Sequence, residues 1–318
     1  MFERSAPGKV ILCGEHSVVY GYPAIAVPVG GLRARAQIEP APGGLRLLAA
    51  DLDEEFWLRD APVEQPLAAI ARLTLEQLDA VEPDAVLTVR SELPIAAGLG
   101  SGAAVSVAVA RALAAFLGHE LDAEAASALA YEVEKIHHGT PSGIDNTVIA
   151  WEQPVYFVKG ATPEVFTIGA PFWLLIANSG IPSSTREAVR RVRQRQDAEP
   201  AVYAAYFARM GQLAYEARQT ITGGDIRALG PLLDENHALL RQLGVSLPAL
   251  ERLVAAARAA GALGAKLTGG GMGGNVIALV RVERKAAVAE ALRQAGAVQV
   301  WETLVENEHG TQINAGER

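Results

Sequence analysis

The chain has 318 residues, half of them hydrophobic and 20% charged, with a net charge of −8. That is ample material for one large or two packed globular domains, and the acidic balance with no basic tract argues against a nucleic-acid partner. The single cysteine, Cys13, excludes an intrachain disulfide framework and a cysteine-rich zinc site; inside the apolar run 10–13 it reads as a buried structural thiol.

The first seven residues lack the basic, apolar and cleavage pattern of a secretory signal. Residues 9–13 read as a strand closed by Gly14, and 23–29 and 33–39 as two more, the last alternating Arg33, Arg35 and Gln37 with apolar neighbours. Helical spacing follows over 66–81, then a strand over 85–89 that leads into a glycine-rich loop. Residues 103–117 form a small-residue helix suited to close packing on a sheet. Arg111 interrupts it, and it is too short to span a bilayer. A soluble cytoplasmic protein with no membrane partner is therefore expected. A helix over 122–137 has Asp122 as its N-cap, and 155–158 is a short strand.

A fresh unit begins near Ala161-Thr162-Pro163. It runs through a strongly apolar strand (172–178) and helices at 184–196, 199–221, 224–242 and 247–260. Gly261 and Gly264 break the pattern. A glycine loop at 269–274, a strand over 275–282, a helix over 284–295 and a strand over 298–305 follow, with a loose polar tail from Glu306. The arginine-rich stretch 186–195 alternates with apolar residues and reads as a solvated helix face. The fold class is α+β, in two halves that each carry a glycine loop.

Four segments carry chemistry. Pro94-Ile95-Ala96-Ala97-Gly98-Leu99-Gly100-Ser101-Gly102-Ala103-Ala104 opens directly into a helix. Such a loop is either a tight strand-to-helix turn or an anion cradle, where glycines let the backbone approach and the helix offers unpaired N–H groups. It is neither a Walker A sequence nor a dinucleotide fingerprint. The segment 7–21 puts Lys9 at the start of a strand and Glu15-His16 just past its end, although composition alone would make these a surface lysine and a polar turn. In 134–146, Glu134 lies in the last turns of a helix and Asp145 where the turn 139–143 ends. His137-His138 has no third ligand nearby and is not read as a metal site. The segment 266–274 has five glycines in six positions, which suits a backbone that wraps an anion or hugs another loop. Together these supply an anion cradle, a hydroxyl and a carboxylate for Mg²⁺, an acid to orient an acceptor hydroxyl, and a lysine. Those are the parts of phosphoryl transfer, whose catalysis is mostly positioning and electrostatics.

The segments 7–21, 94–104 and 266–274 resemble, in order and spacing, the three motifs of the GHMP small-molecule kinases, across nearly the whole chain. Within that family, Gly14-Glu15-His16-Ser17-Val18-Val19-Tyr20-Gly21, the stretch 138–146 and Ser179-Gly180-Ile181-Pro182-Ser183-Ser184-Thr185 resemble the mevalonate kinases; galactokinases carry Gly-Glu-His-Thr-Asp-Tyr at the first of these places. The resemblance implies an N-terminal domain (1–165) like ribosomal protein S5 domain 2, a ferredoxin-like C-terminal domain (166–318), and an active site in the cleft between them. It also implies ATP-dependent phosphorylation of the 5-hydroxyl of (R)-mevalonate.

By that resemblance Asp145 and Lys9 are catalytic: Asp145 orients the hydroxyl and takes its proton late, and Lys9 lies near the hydroxyl and the γ-phosphate. Glu15, His16 and Thr268 are on the substrate side. Pro94, Ala97, Gly98, Leu99, Gly100, Ser101, Gly102 and Ala103 hold the nucleotide. Glu134, eleven residues before Asp145, binds Mg²⁺ with help from Ser101. Two positions depart from the family pattern. Gly102 replaces a serine that commonly contributes to Mg²⁺ binding, leaving Ser101 or a water to supply that oxygen. Gly270 and Met272 alter the third motif. The rivals are a phosphomevalonate kinase or mevalonate 3-kinase of the same fold, and a non-catalytic nucleotide or isoprenoid-phosphate sensor. Inhibition by isoprenoid diphosphates and a monomeric or homodimeric state are further expectations from relatives.

Overall fold

A computed structural model of the chain describes residues 1–94, 97–138 and 141–307, except for the side chains of His137 and His138. Ile95 and Ala96 of the glycine loop, Gly139 and Thr140 of the turn before Asp145, and the tail from 308 lie outside the described residues.

Two sheets organise the molecule. Strands β1 (Phe2–Cys13) and β2 (Ala24–Pro40) pair antiparallel, and the hairpin β3 (Leu45–Ala49) and β4 (Glu54–Trp57) follows. Helix α1 (Pro66–Gln77), strand β5 (Ala85–Ser91), helices α2 (Ser101–Phe116), α3 (Ala123–His138) and α4 (Ile144–Trp151), and strands β6 (Val155–Phe157) and β7 (Glu164–Val165) complete the first half. Its sheet runs β4-β3-β5-β2-β6-β7, with β1 on the other side of β2. Helix α2 lies across β1 and β2. Its alanines make this close approach easy, and Asp122 caps α3 as expected, accepting from the Ala125 N–H at 2.7 Å.

The second half contains β8 (Phe172–Asn178), α5 (Thr185–Ala198), α6 (Pro200–Gly223), α7 (Ile226–Gln242), α8 (Pro248–Ala259), β9 (Gly264–Thr268), β10 (Asn275–Val280), α9 (Lys285–Gln294) and β11 (Gln299–Val305). Its antiparallel sheet has the order β11-β8-β10-β9, the ferredoxin-like arrangement. Leu174, Ile176, Ile277 and Leu279 point from this sheet into a core shared with the first half. Leu175, Ala177, Val276 and Ala278 point into a second core under the helices. Burial on both faces explains why 172–178 is a continuous apolar run without alternation. The halves are thus joined through packed side chains, and the cleft sits on the rim of that junction.

The strands β3, β4, β7 and β9 and the helix α4 were not expected, β7 being only two residues long. The β3–β4 hairpin is short and bounded by Gly43-Gly44 and the turn 51–53. Helix α4 has only eight residues, too few to show a period. Strand β9 carries Lys266 and Thr268 at fully buried positions, so its pattern does not read as a strand. Cys13 is buried as expected, and burial pushes its thiol up to about 12. No helix among the described residues is long and apolar enough to cross a membrane.

Candidate active site

Strand β1 is irregular where it matters. Its register against β2 slips between Pro7 and Gly8 and again between Ile11 and Cys13, and such bulges re-aim side chains. Between them Lys9, only 2% exposed, donates its backbone N–H to the Leu99 carbonyl at 3.0 Å and places Nζ 2.9 Å from Asp145 Oδ1. Asp145 lies in the first turn of α4, behind Gly143 at φ +90°. Next to it Asn146 is buried and donates to the Ser127 hydroxyl and carbonyl, which ties α4 to α3, the helix that carries Glu134. Burial pushes the Glu134 carboxyl up to about 8; the Asp145 charge adds to this and the Lys9 charge opposes it.

Two cavities meet at these groups. The larger, about 660 Å³, is lined by Ala97, Gly98, Gly100, Ser101 and Gly102 and by the segment 183–186 across the cleft. Helix α2 begins here. Its N-cap, Gly100, makes no side-chain cap, so the first-turn N–H groups are open to an anion. Gly100 is required twice over: it has φ +76°, and a Cβ there would fall 2.6 Å from Ile149 Cδ1 and 3.2 Å from Lys9 Cγ. The smaller cavity, about 120 Å³, is lined by Ile11, Glu15, His16, Val18 and Gly270. Gly98, Glu134, Asp145 and Thr185 line both.

His16 sits at φ +62° and ψ −49°, spanned by a Ser17 N–H to Glu15 carbonyl bond of 2.7 Å, a sparsely populated conformation that costs about 1–3 kcal/mol for a residue with a Cβ. Its Nε2 lies 3.0 Å from the Gly270 carbonyl, and burial drives the ring toward its neutral form. That nitrogen therefore carries the proton, and Nδ1 is left as an acceptor.

The chain matches the GHMP kinases N terminal domain over residues 66–152 and the GHMP kinases C terminal domain over 213–298. It is 36% identical to the mevalonate kinase of Thermococcus sibiricus, with 93% of this chain and 94% of that protein covered. The chain belongs to the GHMP kinases. As a GHMP kinase it is an ATP-dependent small-molecule kinase. It is also 38% identical to the mevalonate kinase of Pyrococcus horikoshii, with 92% of each chain covered. It superposes on the L. major mevalonate kinase solved in complex with R-mevalonate with a TM-score of 0.84, at 27% identity and 97% coverage of both chains.

In this GHMP kinase several residues expected at the ligands do other work. Thr268 is 2% exposed, and its hydroxyl both accepts from the Ile11 N–H and donates to the Ile11 carbonyl, at 3.0 Å each. It bridges the two halves and lines neither cavity. Glu15 borders the smaller cavity, but its two oxygens are held by the buried ammonium of Lys266 and, at 2.8 Å, by Asn236 Nδ2. It therefore fixes the turn that carries His16, with both oxygens already engaged inside the protein. Leu99 and Ala103 have buried side chains packed in the core, and Pro94 does not line the larger cavity. The glycines of the third motif hug other loops: a Cβ on Gly271 would fall 2.4 Å from the Val245 carbonyl oxygen, and Met272 donates its N–H to the same oxygen at 2.6 Å.

The sequence reading gave no role to Lys266, Asn236 or Asn275. Asn275 donates to the Ala97 carbonyl and so holds the glycine loop from the opposite half. A lysine in an otherwise apolar buried strand was the available signal for Lys266. His237 lies behind that pair with Nδ1 accepting from the Leu267 N–H. Burial, against the pull of Glu251 and aided by Arg258 and Lys266, lowers its pKa to about 4 and keeps it neutral.

Gly102 has no neighbour within 4 Å of a Cβ and sits in the first turn of α2 at ordinary helical angles. Gly102→Ser is therefore expected to fold normally and melt no lower than wild type, since glycine in a helix costs about 1 kcal/mol relative to residues with a Cβ. A thermal melt checks this; a clear drop would mean that the loop cannot accept the serine.

Proposed function

We propose that this kinase transfers the γ-phosphoryl group of ATP to the 5-hydroxyl of (R)-mevalonate. The observation that carries the reading is the Lys9–Asp145 pair at the seam of the two cavities, with an anion-binding helix terminus on one side and the smaller pocket lined by His16 on the other. The relatives named above, and the R-mevalonate bound to the L. major protein, supply the acceptor. In this reading the α2 terminus holds the ATP phosphates and Asp145 accepts a hydrogen bond from the 5-hydroxyl. The hydroxyl oxygen bonds to the γ-phosphorus as the bond to the β,γ-bridging oxygen breaks. The proton passes to Asp145 late, because a loose transition state needs little early deprotonation. Lys9 offsets negative charge at the transferring group, and His16 Nδ1 accepts from the acceptor.

The donor set fits Mg²⁺: one hard carboxylate, Glu134, with the Ser101 hydroxyl in the same cavity as the phosphates, the sparse protein ligation this ion favours. When bound, Mg²⁺ would neutralise phosphate charge. A Glu134 protonated below about pH 8 has a consequence. Its stabilisation of the metal-free fold is complete below the ordinary value of 4.5 and is lost as pH rises through about 8. Conversely, Mg²⁺ must displace that proton, so its affinity weakens as pH falls below about 8. Calorimetry of Mg-nucleotide binding in two buffers of different ionisation enthalpy should show proton release at pH 7 that Glu134→Gln removes. Release that persists in the variant would contradict this assignment.

The substrate is tested by ADP release against (R)-mevalonate, 5-phosphomevalonate, homoserine and galactose. Selective turnover of mevalonate is expected, and selective turnover of another member would overturn the reading.

A further inference from the structure

Asp145 stands in the first turn of α4, and the far end of that short helix is fixed outside the cleft. The helix ends at Glu152, whose backbone is left-handed at φ +54°. Glycine adopts that conformation at a helix end without strain, so the glutamate contributes there through its side chain. Its carboxylate is held from two directions. Arg111 Nη1 lies 3.0 Å from Oε1, and Arg33 Nη2 lies 2.7 Å from Oε2. Each arginine has a second hold. Arg111 also donates to the Ala150 carbonyl, in the last turn of α4. Arg33 Nε donates to the Ser5 hydroxyl at 2.9 Å.

These anchors belong to the three elements that carry the site. Arg111 is on α2, whose N-terminus offers the anion cradle, and Ser5 is on β1, the strand of Lys9. Glu152 closes the helix of Asp145. At 1.5 Å per residue, about 10 Å of α4 separates Asp145 from Glu152, and about 15 Å of α2 separates Arg111 from the cradle. A helix of two turns has little stability of its own and takes its place from its neighbours. Ile149 of α4 packs against Gly100 of the cradle, so a shift of α4 moves Asp145 relative to the phosphates. Neither Glu152 nor either arginine lines the two cavities, so none of them reaches a reactant. All three side chains are partly buried, and a carboxylate shared by two guanidinium groups fixes geometry in a way that a lone exposed pair does not.

We propose that Glu152, held by Arg111 and Arg33, is a positioning residue that sets the place of Asp145 relative to the anion cradle and Lys9. The inference rests on the role proposed above for Asp145. Loss of the hold leaves every reacting group in the chain but frees α4 to shift, and a misplacement of about 1 Å can cost about 100-fold in rate.

The test measures kcat, KM for ATP and the thermal melt of Glu152→Gly and Arg111→Met, each alone and combined with Asp145→Asn. The acceptor is (R)-mevalonate, and every assay is run well below the melting temperature. Glu152→Gly removes the side chain and suits the left-handed helix end, so it keeps the backbone and decides alone if Arg111→Met does not fold. Both variants should lower kcat about 10- to 100-fold with KM for ATP unchanged. Combined with Asp145→Asn they should lower the residual rate less than about twofold, because a positioning residue matters little once the group it positions is disabled. Wild-type kcat in a folded Glu152→Gly would overturn the inference. So would an equal fold-loss with and without Asp145→Asn, which is what a merely structural tie gives. Wild type that does not turn over (R)-mevalonate, or Asp145→Asn with near-wild-type turnover, would remove the proposed function and this inference together. Dependence on Asp145 with indifference to Glu152→Gly would remove this inference alone.

Discussion

Asp145→Asn is expected to lower kcat by about two to four orders of magnitude, the range for removing a positioned acid–base group, while ATP still binds. The amide keeps the size of the side chain but loses the negative charge and the ability to take the proton. It also leaves the Lys9 ammonium, 2% exposed, without the partner now 2.9 Å away. Lys9→Met should be damaging by itself. The double variant should be little worse than the poorer single one, because the two groups act as a unit. Steady-state kinetics with an ATP titration of each variant checks this. Near-wild-type turnover by Asp145→Asn would remove Asp145 from the mechanism.

Lys266→Met carries the largest expected loss of stability. Lys266 on β9 and Glu15 after β1 are both fully buried and belong to different halves of the molecule. Removing the cation strands the Glu15 carboxylate with Asn236 as its remaining side-chain partner. Breaking a buried pair from one side costs about 3–5 kcal/mol. Lys266→Met combined with Glu15→Gln should recover much of that loss, because no unpaired charge then remains in the interior. Urea unfolding of the two single variants and the double provides the cycle. A loss below about 1 kcal/mol for Lys266→Met would put the pair in the class of exposed ion pairs and end its role as a brace. The same pair fixes the turn bearing His16, so folded Lys266→Met should also bind the acceptor more weakly.

Much of the fold was legible because its elements are long or strongly patterned. The helices over 185–242 and the apolar strand Phe172–Asn178 follow from periodicity and burial. Helix α4 and strand β9 were not legible. The first is too short to show a period, and the second hides charged and hydroxylated side chains in the core, where pattern rules expect apolar ones. The site divided in the same way. Lys9, Glu134, Asp145 and the loop from Gly98 to Gly102 converge on one cleft, as the motifs suggest. Motif membership could not separate groups that face the cleft from groups that hold it in shape. Thr268 and Glu15 stand beside Ile11 and Lys266 only after β9 is brought against β1, a pairing set by residues some 250 positions apart in sequence.

The most direct test is the proton-coupled phosphorus spectrum of the product formed from (R)-mevalonate and Mg-ATP. Transfer to the 5-hydroxyl places phosphorus next to a methylene and gives a triplet, which is the predicted result. A singlet would place the phosphate on the tertiary 3-oxygen, whose carbon bears no hydrogen, and would contradict the orientation assigned to Lys9 and Asp145.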